Sequence, residues 1–317
     1  MTPVITRFAP APTGFLHVGH VVNAICVWGV TRATGGRVLL RIEDHDRTRS
    51  RPEYEQAILD DLDWLGFVPD EPPTAAFRAG ACTGRQSDRT AIYENALAQL
   101  RSAGLVYVCE CSRRAVQAAR PDLFAGSGDV SPLVSDAPAG TNELRYPGTC
   151  RDKRLPEQHG RGIRIRLDRS EERFNDLRHG PQVQVPSEQC GDLLARDRDG
   201  CWTYQFAVTV DDLVQGVTLV VRGDDLLAST GRQIQLARLL GRSEPARFLH
   251  HGLVMKTATQ KLSKADRDTS IRDLRAAGRS AADIIGEAAR AAGLIDTGHP
   301  LPAASVGGLA IWSRLTG

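Results

Sequence analysis

The sequence predicts an α/β protein whose core is a parallel β-sheet. Two apolar strands, over residues 4–8 and 37–42, flank an apolar-rich helix over residues 18–33 that ends at two glycines. Strand, helix and strand at this spacing indicate a right-handed βαβ unit with two parallel strands. Because ligands of such sheets gather at the carboxyl ends of the strands, we expect the functional site at that edge.

The stretch that follows the first strand is the most informative part of the chain. It reads RFAPAPTGFLHVGH over residues 7–20, and its prolines and Gly14 enforce a sharp exit from the strand. The helix that follows presents free N–H groups and the positive end of its dipole, which together favour a phosphate group. His17 and His20 lie three residues apart, so we expect both on one helix face, and Gly19 leaves room for a ligand.

The overall composition is typical of a globular protein that is soluble in water. Of its 317 residues, 41% are hydrophobic and 25% are charged, and no apolar run approaches the roughly 20 residues that cross a membrane. The start of the chain lacks the pattern of a secretion signal, so we expect a cytoplasmic protein without membrane contact. The formal net charge of +2 indicates a nucleic-acid partner only if a local basic surface exists.

The rest of the chain continues the alternation of helices and strands. Pro52 begins a helix to residue 65, and Ser87 is predicted to cap a helix to residue 103. Residues 121–142 are rich in Pro, Gly, Ser, Asp and Ala and indicate an irregular insertion. Further predictions are a strand over 105–108, a half-exposed strand with a basic face over 162–167, a hairpin over 193–203, a strand over 217–221 followed by a helix to 240, an extended segment over 248–255, and two helices over 271–294 broken near Gly278. The last twenty residues carry only weak structural signals.

Two further signals accompany the histidine stretch. Residues 261–264 read Lys-Leu-Ser-Lys, so two lysines flank a hydroxyl in a polar loop. Such lysines close over a triphosphate and neutralise the charge that grows at the transferring phosphorus. Glu43 stands at the acidic end of the second strand, at the edge where the histidine stretch also lies.

These signals together resemble the class I aminoacyl-tRNA synthetases. Residues 17–20, HVGH, are similar to the HIGH motif of that family, and residues 261–265, KLSKA, are similar to its KMSKS loop. Residues 7–14, 41–44 and 221–225 resemble the glutamate branch. The resemblance covers roughly residues 4 to 275, and it implies a Rossmann-like nucleotide-binding catalytic domain with a zinc-containing insertion.

The resemblance implies a pocket for glutamate. The positions that match the family's amino-acid pocket are Arg7, Phe8, Ala9, Pro10, Ala11, Glu43, Tyr204 and Arg222. Arg7 and Arg222 would clamp the substrate carboxylates, since a guanidinium matches a carboxylate at two points. Glu43 would hold the ammonium group, and Tyr204 would supply a hydroxyl. Ala11 stands where the family often has serine, which removes one hydroxyl from the pocket.

The resemblance also implies ATP chemistry. His17, Gly19 and His20 would contact the ATP phosphates, with Mg²⁺ accompanying the nucleotide, and Lys261 and Lys264 would close over them, Lys264 stabilising the transition state. A glutamate carboxylate attacks the α-phosphorus, which gives glutamyl-adenylate and pyrophosphate, and a tRNA hydroxyl then takes the glutamyl group. This chemistry needs positioning and charge stabilisation but no protein nucleophile.

The length of the chain favours one branch of the family. About fifty residues follow Lys264, which leaves no room for the helical anticodon-binding region of ordinary glutamyl-tRNA synthetases. The sequence therefore resembles the truncated glutamyl-Q tRNA(Asp) synthetases, which activate glutamate without tRNA and attach it to the queuosine base of the tRNA(Asp) anticodon. A basic strand would supply phosphate contacts to tRNA. The residues in question are Arg164 and Arg166, with Arg151, Lys153, Arg154 and Arg161 nearby.

The cysteines predict a metal site. An odd and uneven set of seven argues for thiols and a metal rather than a disulfide framework. Cys109 and Cys111 precede the irregular segment and Cys150 follows it, and three thiolates with one further ligand make a closed tetrahedral zinc site. The family pattern implies Tyr146 as the fourth ligand, and His159 or water remains an alternative.

The resemblance divides the chain into four parts. These are residues 1–108, the first half of the catalytic domain; 109–160, the zinc-binding insertion; 161–260, the second half with an acceptor-type insertion; and 261–317, the KMSKS-like loop and C-terminal helices. We expect a monomer that binds L-glutamate, ATP and tRNA. The alternatives are conventional charging of the tRNA 3′ end, and a non-catalytic tRNA-binding relative, which would not need both ATP-contacting segments.

Overall fold

The computed structural model describes residues 3–119, 144–254 and 269–316. The strands are β1 (Ile5–Phe8), β2 (Arg37–Leu40), β3 (Val106–Cys109), β4 (Gly162–Ile165), β5 (Glu172–Asp176), β6 (Gly180–Gln184), β7 (Leu193–Arg196), β8 (Leu219–Gly223) and β9 (Arg247–His251). The helices are α1 (Val18–Ala33), α2 (Pro52–Leu65), α3 (Thr74–Arg78), α4 (Thr90–Ser102), α5 (Arg113–Ala118), α6 (Pro186–Gln189), α7 (Tyr204–Val214), α8 (Thr230–Leu239), α9 (Ile271–Ala276), α10 (Ala281–Ala291) and α11 (Ile311–Thr316). The fold is α/β, as the sequence predicts.

The central sheet joins strands from the first forty residues to strands from the second half of the sequence. β1 and β2 pair in parallel with Ile5 opposite Arg37, and the second set of strands follows the order β6-β5-β9-β8. The two sets meet at β1 and β8, where the Thr218 amide donates to the Ile5 carbonyl at 2.9 Å and Arg7 Nη1 donates to the Val221 carbonyl at 3.2 Å. β8, β9 and β5 run parallel, and β6 is antiparallel at the far edge. The carboxyl ends of β1 and β8 therefore lie side by side.

A separate antiparallel sheet is formed by strands from the middle of the chain. It consists of β3, β4 and β7 in the order β3-β4-β7. Its apolar face packs with α4 and α7 into a core of their own, which includes Leu97, Ile163 and Phe206. The cysteines at the end of β3 lie outside that core, in a small cluster with Tyr146.

Helix α1 is the centre of the main core. A helix that is apolar on all sides must be buried on all sides, and residues 21, 22 and 24–31 of α1 are all buried. α10 and the 3₁₀ helix Ala303–Gly308 cover the side of α1 away from the sheet. Trp312 lies against Gly29, where a Cβ would be only 2.4 Å from the indole ring. The last residues, which carry weak signals in the sequence, therefore complete this core.

Several predicted elements are confirmed and others need correction. The helices over 18–33 and 52–65 have the predicted bounds, and Gly66 ends the second at φ +81°. α9 and α10 are separated at Gly278, as predicted. Ser87 does not cap a helix, because it lies inside the 3₁₀ helix Gln86–Arg89 that precedes α4.

The expected exposure of one strand also needs correction. The strand predicted as half-exposed, β4, is buried at all four positions, because β3 and β7 flank it and α4 and α7 cover it. The predicted insertion over 121–142 lies outside the described residues. Within the described ranges, no helix is both long and apolar enough to cross a membrane.

Candidate active site

A cavity of about 1170 Å³ opens at the carboxyl ends of β1 and β8. It contains every described residue that the sequence predicts for glutamate or ATP. These are Arg7, Phe8, Ala9, Pro10, Ala11, His17, Gly19, His20, Glu43, Tyr204 and Arg222. Lys261 and Lys264, the predicted loop lysines, lie outside the described residues. The parallel sheet thus brings together predicted residues from segments that are far apart in sequence.

His17 and His20 build the start of helix α1. His17 is the N-cap residue, and its Nδ1 accepts a hydrogen bond from the Gly19 amide at 3.1 Å. His20 Nδ1 in turn accepts from the His17 amide at 3.1 Å, and the two ring centroids lie 4.0 Å apart. A Cβ on Gly19 would lie 2.9 Å from the His17 ring, so this glycine makes room for the histidine as well as for a ligand. The reciprocal cap fixes both rings at the helix end that favours anions.

Arg7 is oriented by an ion pair with a buried carboxylate. Its Nε lies 3.0 Å from Asp212 Oδ1, and Asp212 also accepts from Arg41 Nη1 at 2.7 Å. Burial opposes the charge of Asp212, but Arg7 and Arg41 outweigh it and hold the pKa of Asp212 below its usual value. Asp212 therefore stays ionised and orients two guanidinium groups.

Glu43 lines the cavity and forms a buried ion pair with Arg41. Arg41 donates to Glu43 Oε1 from Nη2 at 3.0 Å and from Nε at 3.3 Å, and neither side chain is more than 8% exposed. A buried carboxylate retains its charge only with such a partner. Since both bonds use Oε1, this pairing leaves Oε2 available for a donor in the cavity.

The network behind Arg41 was not predicted from the sequence. Asp211 on α7 is fully buried and accepts from Arg89 Nε and Gln86 Nε2 at 2.7 Å each, and from the Tyr93 hydroxyl at 3.0 Å. Burial and the negative charge of Asp211 both raise the pKa of Tyr93, so the phenol remains a neutral donor. This network ties the 3₁₀ helix Gln86–Arg89 and α4 to α7, whose first residue, Tyr204, lines the cavity.

Tyr204 and Arg222 close the other side of the cavity. Tyr204 is the first residue of α7, and burial followed by the charge of Glu43 raises its pKa. Arg222 lies near the end of β8 and is only 4% exposed. Burial lowers the pKa of Arg222, and nearby Arg7 lowers it further. Two buried guanidinium groups, one opposing the other's charge, favour an anionic group between them.

Three cysteines and a tyrosine meet beside the same cavity. The Sγ atoms of Cys109, Cys111 and Cys150 all lie within 4.8 Å of one another, with Cys111 and Cys150 3.5 Å apart. The Tyr146 hydroxyl lies 3.4 Å from Cys109 Sγ and accepts from the Cys150 amide at 2.8 Å. Four ligands at tetrahedral Zn²⁺ with Zn–S bonds of about 2.3 Å would place their sulfurs about 3.8 Å apart. The three thiols therefore fit a zinc ion, with the Tyr146 hydroxyl next to Cys109, whereas His159 is exposed and belongs to no such group among the described residues.

Most of the basic residues predicted for tRNA phosphates contact other residues of the protein itself. The prediction that Arg164 contacts tRNA at the surface is wrong, because this residue is only 9% exposed. Its guanidinium lies 3.6 Å from the centre of the Tyr146 ring and donates to the Asp192 carbonyl at 2.8 Å. Arg166 lies over the Tyr107 ring and reaches Asp152 at 3.4 Å. The remaining predicted contacts are Arg151, paired with Asp168 and Asp192; Lys153 and Arg161, both paired with Glu110; and Arg154, which is exposed.

Arg164 instead supports the cysteine cluster. Its Nε lies 3.4 Å from Cys109 Sγ, so its charge faces the thiol. Burial opposes ionisation of Cys109, but the Tyr146 hydroxyl and the Arg164 guanidinium outweigh it and lower the pKa of that thiol. A lowered pKa favours the thiolate, which is the form that binds metal.

Comparison with known proteins gives the class of this fold and site. Residues 3–291 match the family model described as tRNA synthetases class I (E and Q), catalytic domain. A glutamate tRNA ligase from Elizabethkingia meningosepticum CCUG26117, solved in complex with its amino acid, superimposes with a TM-score of 0.75 at 25% identity. The match covers 98% of this chain and 65% of that one, so the chain spans less than two thirds of that ligase. The fold is the class I aminoacyl-tRNA synthetase catalytic domain.

The curated relatives narrow the class to one family. A glutamyl-Q tRNA(Asp) synthetase of Rhodobacter capsulatus is 39% identical over 89% of this chain and 98% of its own length. One from Symbiobacterium thermophilum is 40% identical over 93% of this chain and 88% of its own length. The chain belongs to the glutamyl-Q tRNA(Asp) synthetase family and is an enzyme of the ligase type.

Proposed function

We propose that this enzyme activates glutamate with ATP in the absence of tRNA, and then transfers the glutamyl group to the queuosine base in the anticodon of tRNA(Asp). The observation that carries the proposal is the meeting of Arg7, Glu43, Tyr204 and Arg222 in one cavity beside the N-terminus of α1. The names of the curated relatives support the choice of final acceptor.

Glutamate is the amino acid whose charges match the cavity. Arg222 and Arg7 offer two guanidinium groups for carboxylates, and Glu43 offers one carboxylate oxygen for the ammonium group. Within the described residues no carboxylate lies within 4 Å of Arg222, so its charge is available to a substrate. Glutamine lacks the side-chain charge and would leave one buried guanidinium without a counter-ion, which is costly.

ATP would bind beside the amino acid at the start of α1. His17, Gly19 and His20 line the cavity there, at a helix end that attracts phosphate. The glutamate carboxylate attacks the α-phosphorus and pyrophosphate leaves, and the charge that develops needs cationic partners. Lys264 and Lys261, in the segment similar to the KMSKS loop, would supply them, and Mg²⁺ would enter bound to the nucleotide.

The second step transfers the glutamyl group to tRNA. A hydroxyl of the queuosine base attacks the carbonyl carbon of glutamyl-adenylate, an ester forms, AMP leaves with the bonding electron pair, and the hydroxyl proton passes to the departing phosphate or to water. Positioning supplies most of the rate, since the mixed anhydride is already activated. Cys109, Cys111, Cys150 and Tyr146 would hold one structural zinc that shapes the wall of the cavity toward the insertion. We propose that the enzyme acts as a monomer.

The test is pyrophosphate exchange into ATP with purified enzyme. Exchange that depends on glutamate and needs no tRNA supports the first step, and glutamine and aspartate serve as controls. Lys264→Ala should lower the exchange rate by about two to three orders of magnitude, the magnitude of one lost transition-state contact in a preorganised site. No exchange with glutamate, with or without tRNA, would point to a non-catalytic tRNA-binding relative.

A further inference from the structure

A row of buried polar side chains crosses three neighbouring strands behind Arg222. Arg222 on β8 lies directly opposite His250 on β9 in the parallel register, and Asp176 on β5 follows next to β9. All three are nearly inaccessible, at 4%, 0% and 1% exposure. The row starts at the cavity and ends inside the sheet, so it connects a substrate-facing cation to the scaffold.

The hydrogen bonds along the row have one consistent direction. Arg222 Nε donates to His250 Nε2 at 3.0 Å, so that nitrogen must carry no proton. His250 Nδ1 lies 2.7 Å from Asp176 Oδ2 and is therefore the protonated nitrogen, which donates to the carboxylate. Asp176 also accepts from the amides of Arg178, His179 and His250, which fixes its own position.

The other partners of Arg222 are also uncharged. Nη1 donates to Gln233 Oε1 at 2.7 Å and Nη2 donates to Thr230 Oγ1 at 2.8 Å. Gln233 is oriented in turn by its own bond to Gln205 Oε1 at 2.8 Å. A guanidinium has five N–H donors, so these three bonds leave one on each terminal nitrogen, and Tyr204 in the cavity wall is a further hydrogen-bond partner of Arg222. The orientation of Arg222 is thus fixed on three sides without any loss of its charge.

We propose that His250 is a positioning residue for Arg222: it presents a neutral acceptor, oriented by Asp176, that holds the guanidinium toward the glutamate pocket and leaves its charge for a substrate carboxylate. The proposal rests on the role proposed for Arg222 above. A carboxylate at the same place would orient the guanidinium equally well but would compete with the substrate for its charge. Arg7, which pairs with Asp212, is held in that second way.

The environment of His250 keeps the imidazole neutral. Burial lowers its pKa to about 4, and the charge of Arg222 acts in the same direction against the hydrogen bond to Asp176. A neutral ring is required, because a protonated Nε2 would face the Nε–H of Arg222. The geometry and the protonation state therefore favour the same arrangement.

The test compares two side chains of equal length at one position. His250→Gln keeps an acceptor oxygen near the place of Nε2, whereas His250→Met fills the space without one, and exposed His299→Gln is the control. In pyrophosphate exchange, we expect His250→Met to raise the KM for glutamate about tenfold or more, the effect of a lost bond to a charged group. The KM for ATP should stay unchanged, and His250→Gln should stay within about threefold of wild type.

Each result decides between positioning and mere support of the fold. A folded His250→Met variant with the wild-type KM for glutamate overturns the proposal, and so does an equal rise in the KM for ATP or a Gln variant no better than Met. If the Met variant does not fold, the ¹⁵N spectrum of the wild-type His250 ring decides instead. A protonated Nδ1 with a bare Nε2 supports the proposal, and a protonated Nε2 overturns it. Wild-type exchange with an amino acid other than glutamate would contradict the proposed function, and the same variants then test the positioning role with that amino acid.

Discussion

Ser270 pairs with His17 across an antiparallel bridge. Next to it the Ile271 amide donates to the Leu16 carbonyl at 2.8 Å, and Arg272 lies 4.8 Å above the Phe15 ring. The chain that leaves the lysine segment is therefore tied directly to the N-cap of α1. This contact ties residues that follow the lysine segment to the N-terminus of α1, although about 250 residues separate them in sequence.

The first prediction concerns this junction. Ser270 caps α9, since its hydroxyl accepts from the Asp273 amide and Asp273 reaches back to it. Ser270→Ala should cost about 1 kcal/mol of unfolding free energy, the usual value of an N-cap. Because α9 begins beside His17, where we propose that ATP binds, we also expect a higher KM for ATP in pyrophosphate exchange.

Ser280→Ala is the matched control for that variant. Ser280 caps α10 with the same bond, from the Asp283 amide at 3.2 Å, and it does not line the cavity. The control should lose similar stability and keep its kinetics. Equal kinetics in both variants would show that the junction with His17 has no part in nucleotide binding.

The second prediction concerns Asp61 on α2. Its side chain is buried, and Oδ2 has no hydrogen-bond partner among the described residues. Burial raises its pKa to about 7, although Arg275 and Arg272 act against this. The folded state therefore binds this proton more tightly than the unfolded chain does. The free energy of unfolding falls as the pH rises from about 4 to about 7.

Asp61→Asn should remove that part of the pH dependence. We expect the Asp61→Asn variant to melt at a higher temperature than wild type, and the difference to be larger at pH 8 than at pH 5. Each kcal/mol of additional unfolding free energy corresponds to about 2–4 °C in melting temperature. Asp60→Asn, an exposed change on the same helix, is the control. An Asp61→Asn difference that is the same at both pH values would mean that Asp61 is ionised throughout.

The third prediction concerns the cysteine cluster. Purified enzyme should contain about one zinc ion per chain, and Cys150→Ser should lower both the zinc content and the melting temperature. Cys150 is fully buried and lies 3.5 Å from Cys111, so the change also affects the ligand next to it. The measurements are elemental analysis and thermal unfolding, each with and without a chelator.

Cys201→Ser is the control for the metal site. Cys201 is half-buried and does not belong to the cluster. The Cys201→Ser variant should retain the zinc content and the melting temperature of the wild type. A wild-type protein that is stable and free of metal, with no response to the chelator, would contradict a structural zinc at this place.

Local signals explain which elements could be predicted from the sequence. Pro52 and Gly66 mark both ends of α2, and the two glycines after α1 mark its end, so these helices have the predicted bounds. Signals of this kind act over a few residues. The cap formed by His17 and His20 is also local, which is why that segment could be related to a ligand before the fold was known.

Long-range contacts explain what could not be predicted. The alternation of Ile and Arg in β4 indicates a basic face, but Arg164 is covered because Tyr146 stacks on it from another segment. His250 carries no motif, and its role follows only from its register opposite Arg222. Trp312 is buried because Gly29 of α1 leaves space for it. No spacing within one segment contains this information.

The transfer of labelled glutamate to tRNA is the decisive experiment for the proposed function of this enzyme. The enzyme is given ATP, labelled glutamate and tRNA pools that contain or lack queuosine, and the labelled tRNA is cleaved to locate the label. We predict label only on tRNA(Asp) that carries queuosine, in the anticodon fragment. Label at the 3′ end of tRNA(Glu), independent of queuosine, would contradict the proposed function and would identify a conventional charging enzyme.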